Sequence, residues 1–397
     1  MITSSSMCCF KVLHIYPSKQ TTNTMAATTS SSPLIYATNV GMPYRAPHTC
    51  NTFPKYKYDS PNYKRAAIPH RKGLATPTKR PVLYPVTMYN GRELRKHGEV
   101  TNVDTHAFDF VENFPTNVTD WNDPEQIYNI YLDEVAALIK EKVPGANHPG
   151  SHVLIFDHAM RSGGKGLKEL QEQNEESPWQ GYAGIVHSDA TVRSIHTRAK
   201  DQILGTNETE VKYGGKLPKC WGEVKPSYEW QRKLFRSETD DHNSPEGEGG
   251  EHMIINVWRP IKPVHQWGLA VLDGRSMKQG DVHPTTINKF DNSPGGRTSG
   301  KLKTESKVKD LKGDTVPIRY GEVLTPLPDP KHRWVYYPKM QPKEALLLKI
   351  FDSRRDGRVR NGCHTAFRDP TGPNVHRHSI EVRCLVTLPP QSKLAKM

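Results

Sequence analysis

At 397 residues the chain is long enough for one decorated domain or two ordinary ones. No stretch approaches the ~20 consecutive apolar residues that a bilayer-spanning helix needs. With 35% hydrophobic residues and a mean hydropathy of -0.71, the sequence reads as a soluble protein whose core is diluted by polar insertions. The net charge of +13 raises the question of nucleic acid, but the Lys and Arg residues are scattered through inserts such as 301–312. They lack the aromatic interleaving of a single-strand platform, so neither a nucleic-acid nor a membrane partner is expected.

Cys8, Cys9, Cys50, Cys220, Cys363 and Cys384 form neither a disulfide framework nor a CxxC zinc spacing, which fits a reducing, cytoplasmic compartment. Residues 1–32 are rich in Ser and Thr, carry Lys11 and Lys19 but no acid and no Arg, and read as a disordered tail rather than a targeting signal. Met25 offers a second possible start. Residues 33–82, rich in Pro, Tyr and Lys, read as an extended arm wrapping a core laid down later.

The first convincing helix opens at Asp123-Pro124, carries Ile127, Ile130, Tyr131, Leu138 and Ile139 at helical spacing, and stops at Pro144-Gly145. His152 to Phe156 is then a short buried strand. Gly184 to His187 reads as another strand, with a helix over 192–204. Further strands are expected at Met253 to Trp258, Trp267 to Leu272, Arg333 to Tyr337, Ala345 to Phe351 and Ser379 to Leu388. Early helices followed by short strands predict an α+β domain over 83–390 with a closed or double antiparallel sheet, interrupted by long loop insertions near 213–250 and 275–318. No GxGxxG or GxxxxGK[ST] loop supports dinucleotide or nucleotide chemistry.

His187-Ser188-Asp189 follows an apolar run, and residues two apart on a strand point to the same side. An imidazole and a carboxylate can therefore share one metal. One further histidine would complete the facial triad that leaves positions open on non-haem Fe(II). The best-placed candidate is His364, after the strand ending at Phe351-Asp352-Ser353. Arg377, followed by Ser379 on the last long strand, supplies a guanidinium and a hydroxyl suited to the terminal carboxylate of 2-oxoglutarate. Arg259, at a strand end, is a second candidate for that co-substrate or for an acidic substrate group. Asp352 is expected to receive Arg or backbone hydrogen bonds at a turn, Glu381 and Arg383 to form a charged ladder with Arg377, and Trp179 and Tyr182 to line a pocket.

These segments resemble the fungal hydroxylase/desaturase proteins of the AsaB type, related to the cephalosporin methoxylation protein CmcJ and to iron/2-oxoglutarate oxygenases. The resemblance covers roughly residues 83–389. It rests on His187-Ser188-Asp189, Asn256-Val257-Trp258-Arg259-Pro260, Arg333-Trp334 with Tyr336-Tyr337-Pro338, and Phe351-Asp352-Ser353. It continues through His364-Thr365-Ala366-Phe367-Arg368-Asp369-Pro370 and Arg377-His378-Ser379-Ile380-Glu381-Val382-Arg383. It implies a double-stranded β-helix, or jelly-roll, core, iron on the HxD pair and the distal histidine, and hydroxylation or desaturation of a small secondary metabolite. The chain departs from the family in having His378 where a Glu is usual, which keeps His376 or His378 open as an alternative third ligand. A catalytically silent jelly-roll protein that binds a metabolite or a partner chain is the competing reading.

Overall fold

A computed structural model describes residues 34–44, 82–163, 251–278 and 320–389 apart from 370 and 374, with Ser32 and pieces within 179–195, 281–288, 307–309 and 315–317. The expected tail, most of the 192–204 helix and the 213–250 insertion lie outside the described residues. In chain order the strands are β1 (Ile35–Tyr44), β2 (Val82–Asn90), β3 (Phe108–Val111), β4 (His152–Arg161), β5 (Trp179–Gln180), β6 (Glu251–Pro260), β7 (Trp267–Leu272), β8 (Val282–Asn288), β9 (Lys307–Lys309), β10 (Thr315–Pro317), β11 (Tyr320–Pro326), β12 (Trp334–Tyr336), β13 (Ala345–Asp352), β14 (His364–Arg368) and β15 (Ser379–Leu388).

Two sheets dominate. One runs β1-β2-β12-β7-β14 and the other β3-β13-β6-β15-β4-β5. Alternation along the strands gives each sheet two apolar faces. Phe108, Phe110, Leu154, Phe156, Ile254, Trp258, Leu346, Leu348 and Leu385 of the six-stranded sheet share a buried cluster with Leu269, Val271 and Val335 of the five-stranded one. That cluster is the layer between the sheets, and the strands β6, β13 and β15 are buried over nearly their whole length. Among the described residues strands predominate and helices are few, as the pattern of short strands predicts.

The opposite face of the six-stranded sheet is covered by one helical segment. Asp123 caps it, its side chain accepting from the Glu125 amide, and Pro124 takes the first position, where a missing N–H costs nothing. A short α-turn (Pro124–Gln126) passes through a π-turn (Ile127–Tyr131) into a helix (Leu132–Lys142). Tyr131, Leu132, Val135, Ala136 and Ile139 face Met253, Ile255, Val257, Ile380, Val382 and Val386 of the sheet. The chain leaves through Gly145, whose φ of +84° favours glycine.

Three expectations change. The 33–82 arm is in part a strand: β1 pairs antiparallel with β2 and so belongs to the five-stranded sheet. The 275–318 insertion contains β8, which pairs with β11, and the β9–β10 ribbon. The strand expected over Gly184 to His187 is not regular among its described residues, 185–187: an isolated bridge joins His187 to His364, and a second joins the next residue, Ser188, to Leu324.

A candidate metal centre

Those two bridges place the chemistry. The His187 amide donates to the His364 carbonyl at 3.1 Å and the His364 amide to the His187 carbonyl at 2.9 Å. Because β14 is fixed on β7, with His364 opposite Val271, the bridge hangs the His187-Ser188-Asp189 segment on the five-stranded sheet. The imidazole rings come to 4.7 Å between centroids. His187 Nε2 lies 3.1 Å from Asp189 Oδ1, and His364 Nε2 lies 4.0 Å from the same oxygen. One potential ligand atom from each of the three residues lies within 4.8 Å of the others. The structure thus brings together the three residues singled out in the sequence. His376 instead stacks on Trp267 at 6.1 Å and, with His378, stands outside the cluster.

The donor set suits a divalent transition metal. His187 Nδ1 is 2.7 Å from the Ile185 carbonyl, the outer-shell contact that fixes an imidazole tautomer and leaves Nε2 for a metal. Burial alone would depress the His187 pKa, but the Asp189 carboxylate beside it holds it above its usual value. His364 is pushed down to about 4 by burial, then by His187, so it is a neutral lone-pair donor at neutral pH. Burial would raise Asp189, yet Arg383, followed by His187, keeps its carboxyl well below the ordinary range. Two neutral-capable imidazoles and one ionised carboxylate are the ligands that Fe(II) accepts in a facial triad.

Glu99, His106 and Asp273 also gather within 4.8 Å, but their charges are already matched. Arg333 donates to Glu99 at 2.5 and 2.6 Å and to Asp273 at 2.9 Å, while Arg275 donates to the same two carboxylates. A cation there would have to displace two guanidinium groups.

A pocket opens beside the triad, lined in part by His187, Trp258, His364, Thr365, Arg377 and Glu381. Arg377 is held rigidly. Its Nη1 donates to the Trp267 and Gly268 carbonyls at 2.9 and 2.7 Å, and its guanidinium lies 4.6 Å from the Tyr182 ring and 5.2 Å from that of Trp258. Its Nε has no partner although buried, and burial lowers the pKa to about 10. Ser379 is fully buried with an unpartnered Oγ, on the Arg377 side of β15 but not among the residues lining the pocket.

Arg259 is elsewhere. It neighbours Trp258 on β6 and therefore points to the other sheet face, where its guanidinium lies 4.9 Å from Phe114 and 5.6 Å from each of Trp121 and Tyr131. The expectation that it meets a co-substrate is corrected by this alternation. Tyr336 and Tyr337 are both core residues. Tyr182, expected as pocket wall, is not among the residues that line the pocket and instead lies against the Arg377 guanidinium; the Trp179 side chain lies outside the described residues. Sequence reasoning missed Asn256, whose amide donates to Asp189 Oδ2 at 2.7 Å. A lone Asn within the apolar run Met253 to Trp258 was the available signal. Glu381 and Arg383 do pair at 3.1 Å, but Arg377 does not join their ladder.

Residues 53–217 and 231–387 match the family described as Oxidoreductase/YMDC permease-like domain. The chain belongs to this family. Its relatives are fungal hydroxylase/desaturases of the AsaB type, as the motifs indicate. Hydroxylase/desaturase asaB of Aspergillus flavus is 38% identical over 34% of this chain and 54% of its own length. Hydroxylase/desaturase CTB9 of Cercospora beticola is 26% identical over 72% of the chain and 71% of its own. The Fe(II)/2-oxoglutarate-dependent dioxygenase nvfI of Aspergillus novofumigatus is 30% identical over 33% and 39%. The match spans about half the length of the first of these, and 40% of hydroxylase/desaturase efuI of Hormonema carpetanum. Among solved structures, the iron and alpha-ketoglutarate-dependent endoperoxidase NvfI shares the fold at a TM-score of 0.50, with 21% identity, over 80% of this chain and 92% of that one.

Proposed function

We propose that this family member is a non-haem Fe(II)/2-oxoglutarate-dependent oxygenase that hydroxylates or desaturates a small molecule, with a jelly-roll core formed by the two facing sheets. The observation that carries the reading is the convergence of His187, Asp189 and His364 at the edge of a pocket that also contains an unmatched buried guanidinium. His187 Nε2, Asp189 Oδ1 and His364 Nε2 would hold the iron. When bound, iron with its 2-oxo acid co-substrate supplies the oxidation of an unactivated C–H bond.

The protein's part is binding and orientation. Two Arg377 N–H groups are engaged by backbone carbonyls, so the Nε edge remains for an incoming carboxylate, and the flanking Tyr182 and Trp258 rings prevent the fork from turning away. A buried guanidinium with no carboxylate of its own is costly unless a ligand completes it. The far carboxylate of 2-oxoglutarate has the required charge and planarity. Trp258, Leu269, Ala183 and Ala366 provide apolar wall, which excludes water from the reacting carbon. The names of the relatives support hydroxylation or desaturation, and one relative, Aspirochlorine biosynthesis protein N of Aspergillus oryzae, supports a biosynthetic small-molecule substrate.

The test is anaerobic Fe(II) loading followed by oxygen uptake with and without 2-oxoglutarate. One iron per chain and succinate formation that depends on both additions are expected. A protein that takes up neither iron nor 2-oxoglutarate would instead be a silent binding module.

A further inference from the structure

We propose that Asn256 and Arg383 are positioning residues that hold Asp189 as a one-oxygen ligand, by occupying Oδ2 and leaving Oδ1 to the metal. This rests on the reading of His187, Asp189 and His364 as the iron ligands.

The two oxygens of Asp189 have different surroundings. Oδ1 faces both imidazoles, 3.1 Å from His187 Nε2 and 4.0 Å from His364 Nε2. Oδ2 faces away and accepts from Asn256 Nδ2 at 2.7 Å and from Arg383 Nε at 3.2 Å. A carboxylate oxygen has two lone-pair directions, so two donors from fixed positions account for both.

The donors are fixed because they form one rung across three strands. Arg383 of β15 is the register partner of Asn256 on β6 and of Asp157 on β4. Directly opposed residues in an antiparallel pair bring their side chains within reach of each other. Arg383 Nη1 donates to Asp157 at 2.7 Å and Nη2 to Glu381 Oε2 at 3.1 Å. Asn256 Nδ2 also donates to Glu381 Oε1 at 2.8 Å; its two carboxylate acceptors fix which way the amide points. Arg161 Nη2 also lies 3.5 Å from Glu381 Oε2. Each of the three N–H-bearing nitrogens of Arg383 thus has a carboxylate partner, an arrangement a flexible lysine ammonium cannot reproduce.

The consequence concerns the open positions. A facial triad leaves room for a chelating co-substrate and a further ligand because each protein residue takes one position. An aspartate free to turn can offer both oxygens and take a second. Locking Oδ2 into the rung prevents this. Glu381 and Asp157 offset the charge that Arg383 brings beside Asp189.

The full-length chain tests the assignment through Arg383→Lys, which keeps the charge and loses the fork, and Asn256→Leu, which keeps the branched shape and loses both N–H donors. Three measurements are needed: Fe(II) affinity by anaerobic competition, the thermal midpoint of the metal-free protein, and the infrared carboxylate stretches in metal-loaded minus metal-free difference spectra of protein labelled with 13C-aspartate. The separation of the antisymmetric and symmetric bands is wide for one-oxygen coordination and narrow for two. Wild type should show the wide separation. Each variant should bind Fe(II) roughly 10- to 100-fold more weakly and shift toward the narrow one, an effect that lost packing alone does not produce. Should one variant fail to fold, the other carries the test. Undiminished affinity with an unchanged separation in a folded variant overturns the inference and leaves the triad standing. Wild type that binds no iron, or Asp189→Ala that binds it as tightly as wild type, overturns the triad and this inference with it.

Discussion

His187 and His364, far apart in the chain, exchange both backbone hydrogen bonds, at 3.1 and 2.9 Å. The bridge uses main-chain atoms alone, so removal of either side chain leaves it intact. His187→Ala, Asp189→Ala and His364→Ala should therefore each fold, yet lose most bound iron and all turnover. Iron content by metal analysis, with circular dichroism as the check on folding, decides this. His376→Ala, which removes a ring stacked on Trp267, should keep its iron; loss there with retention in His364→Ala would reassign the third ligand.

Arg377 should set the affinity for 2-oxoglutarate. Removing one member of a desolvated charge pair costs on the order of 2–5 kcal/mol, so Arg377→Ala should weaken 2-oxoglutarate binding by at least ~30-fold, with iron binding little changed. Arg377→Lys should recover only part, because an ammonium cannot donate to the two carbonyls and the ligand in the same plane. Titration of 2-oxoglutarate into the Fe(II)-loaded protein, read by calorimetry under anaerobic conditions, measures it. An unshifted titration would place the carboxylate elsewhere in the pocket.

Arg259 gives the converse expectation. Its guanidinium lies over three aromatic rings on the helix-covered face, so Arg259→Met should leave 2-oxoglutarate affinity unchanged and alter stability. Cation–π contacts at desolvated sites contribute about 2 kcal/mol, whereas methionine fills the space without leaving unpaired N–H groups. A net change within about 2 kcal/mol in urea unfolding is expected. A change in 2-oxoglutarate affinity would return Arg259 to the site.

Much of this was legible in the sequence because strand periodicity is a local property. The apolar runs at Trp267 to Leu272, Ala345 to Phe351 and Ser379 to Leu388 became strands at or near those limits, and the HxD motif pointed to two of the three side chains that come together. What was not legible depends on pairing between strands. That Arg383 sits opposite both Asn256 and Asp157 is a fact of register across three strands, which no local pattern encodes. Arg259 was misplaced for a related reason: a strand-end guanidinium can turn to either face, and only the position of the 124–142 helical segment shows which face is buried under aromatic rings. His187 ends a run of strand-like composition but, like Ser188 beside it, pairs through a single isolated bridge, because their partners, His364 and Leu324, belong to different elements.

The last expectation concerns a buried ion network away from the pocket. Lys349 lies in the middle of β13 with a fully buried side chain, and its Nζ donates to Asp104 at 2.6 Å and to Asp352 at 2.7 Å. Asp352 also accepts from the Arg354 amide, Nε and Nη2, at 3.0, 2.9 and 2.8 Å. Burial would raise the Asp352 pKa, but Arg354 and Lys349 hold it below its ordinary value. Breaking a buried pair by removing one partner costs about 3–5 kcal/mol, so Asp352→Asn should destabilise by about 3 kcal/mol at neutral pH, Asp104 remaining to Lys349. Because the folded-state pKa is depressed, the contribution is complete above the unfolded value near ~3.9 and disappears as pH falls through the lower folded one. The gap between wild type and Asp352→Asn in urea unfolding should therefore be constant from pH 7 to about pH 4 and narrow in stronger acid. A gap absent at pH 7, or one that persists undiminished well below the folded-state pKa, would show that the Lys349–Asp352 pair does not contribute as an ion pair.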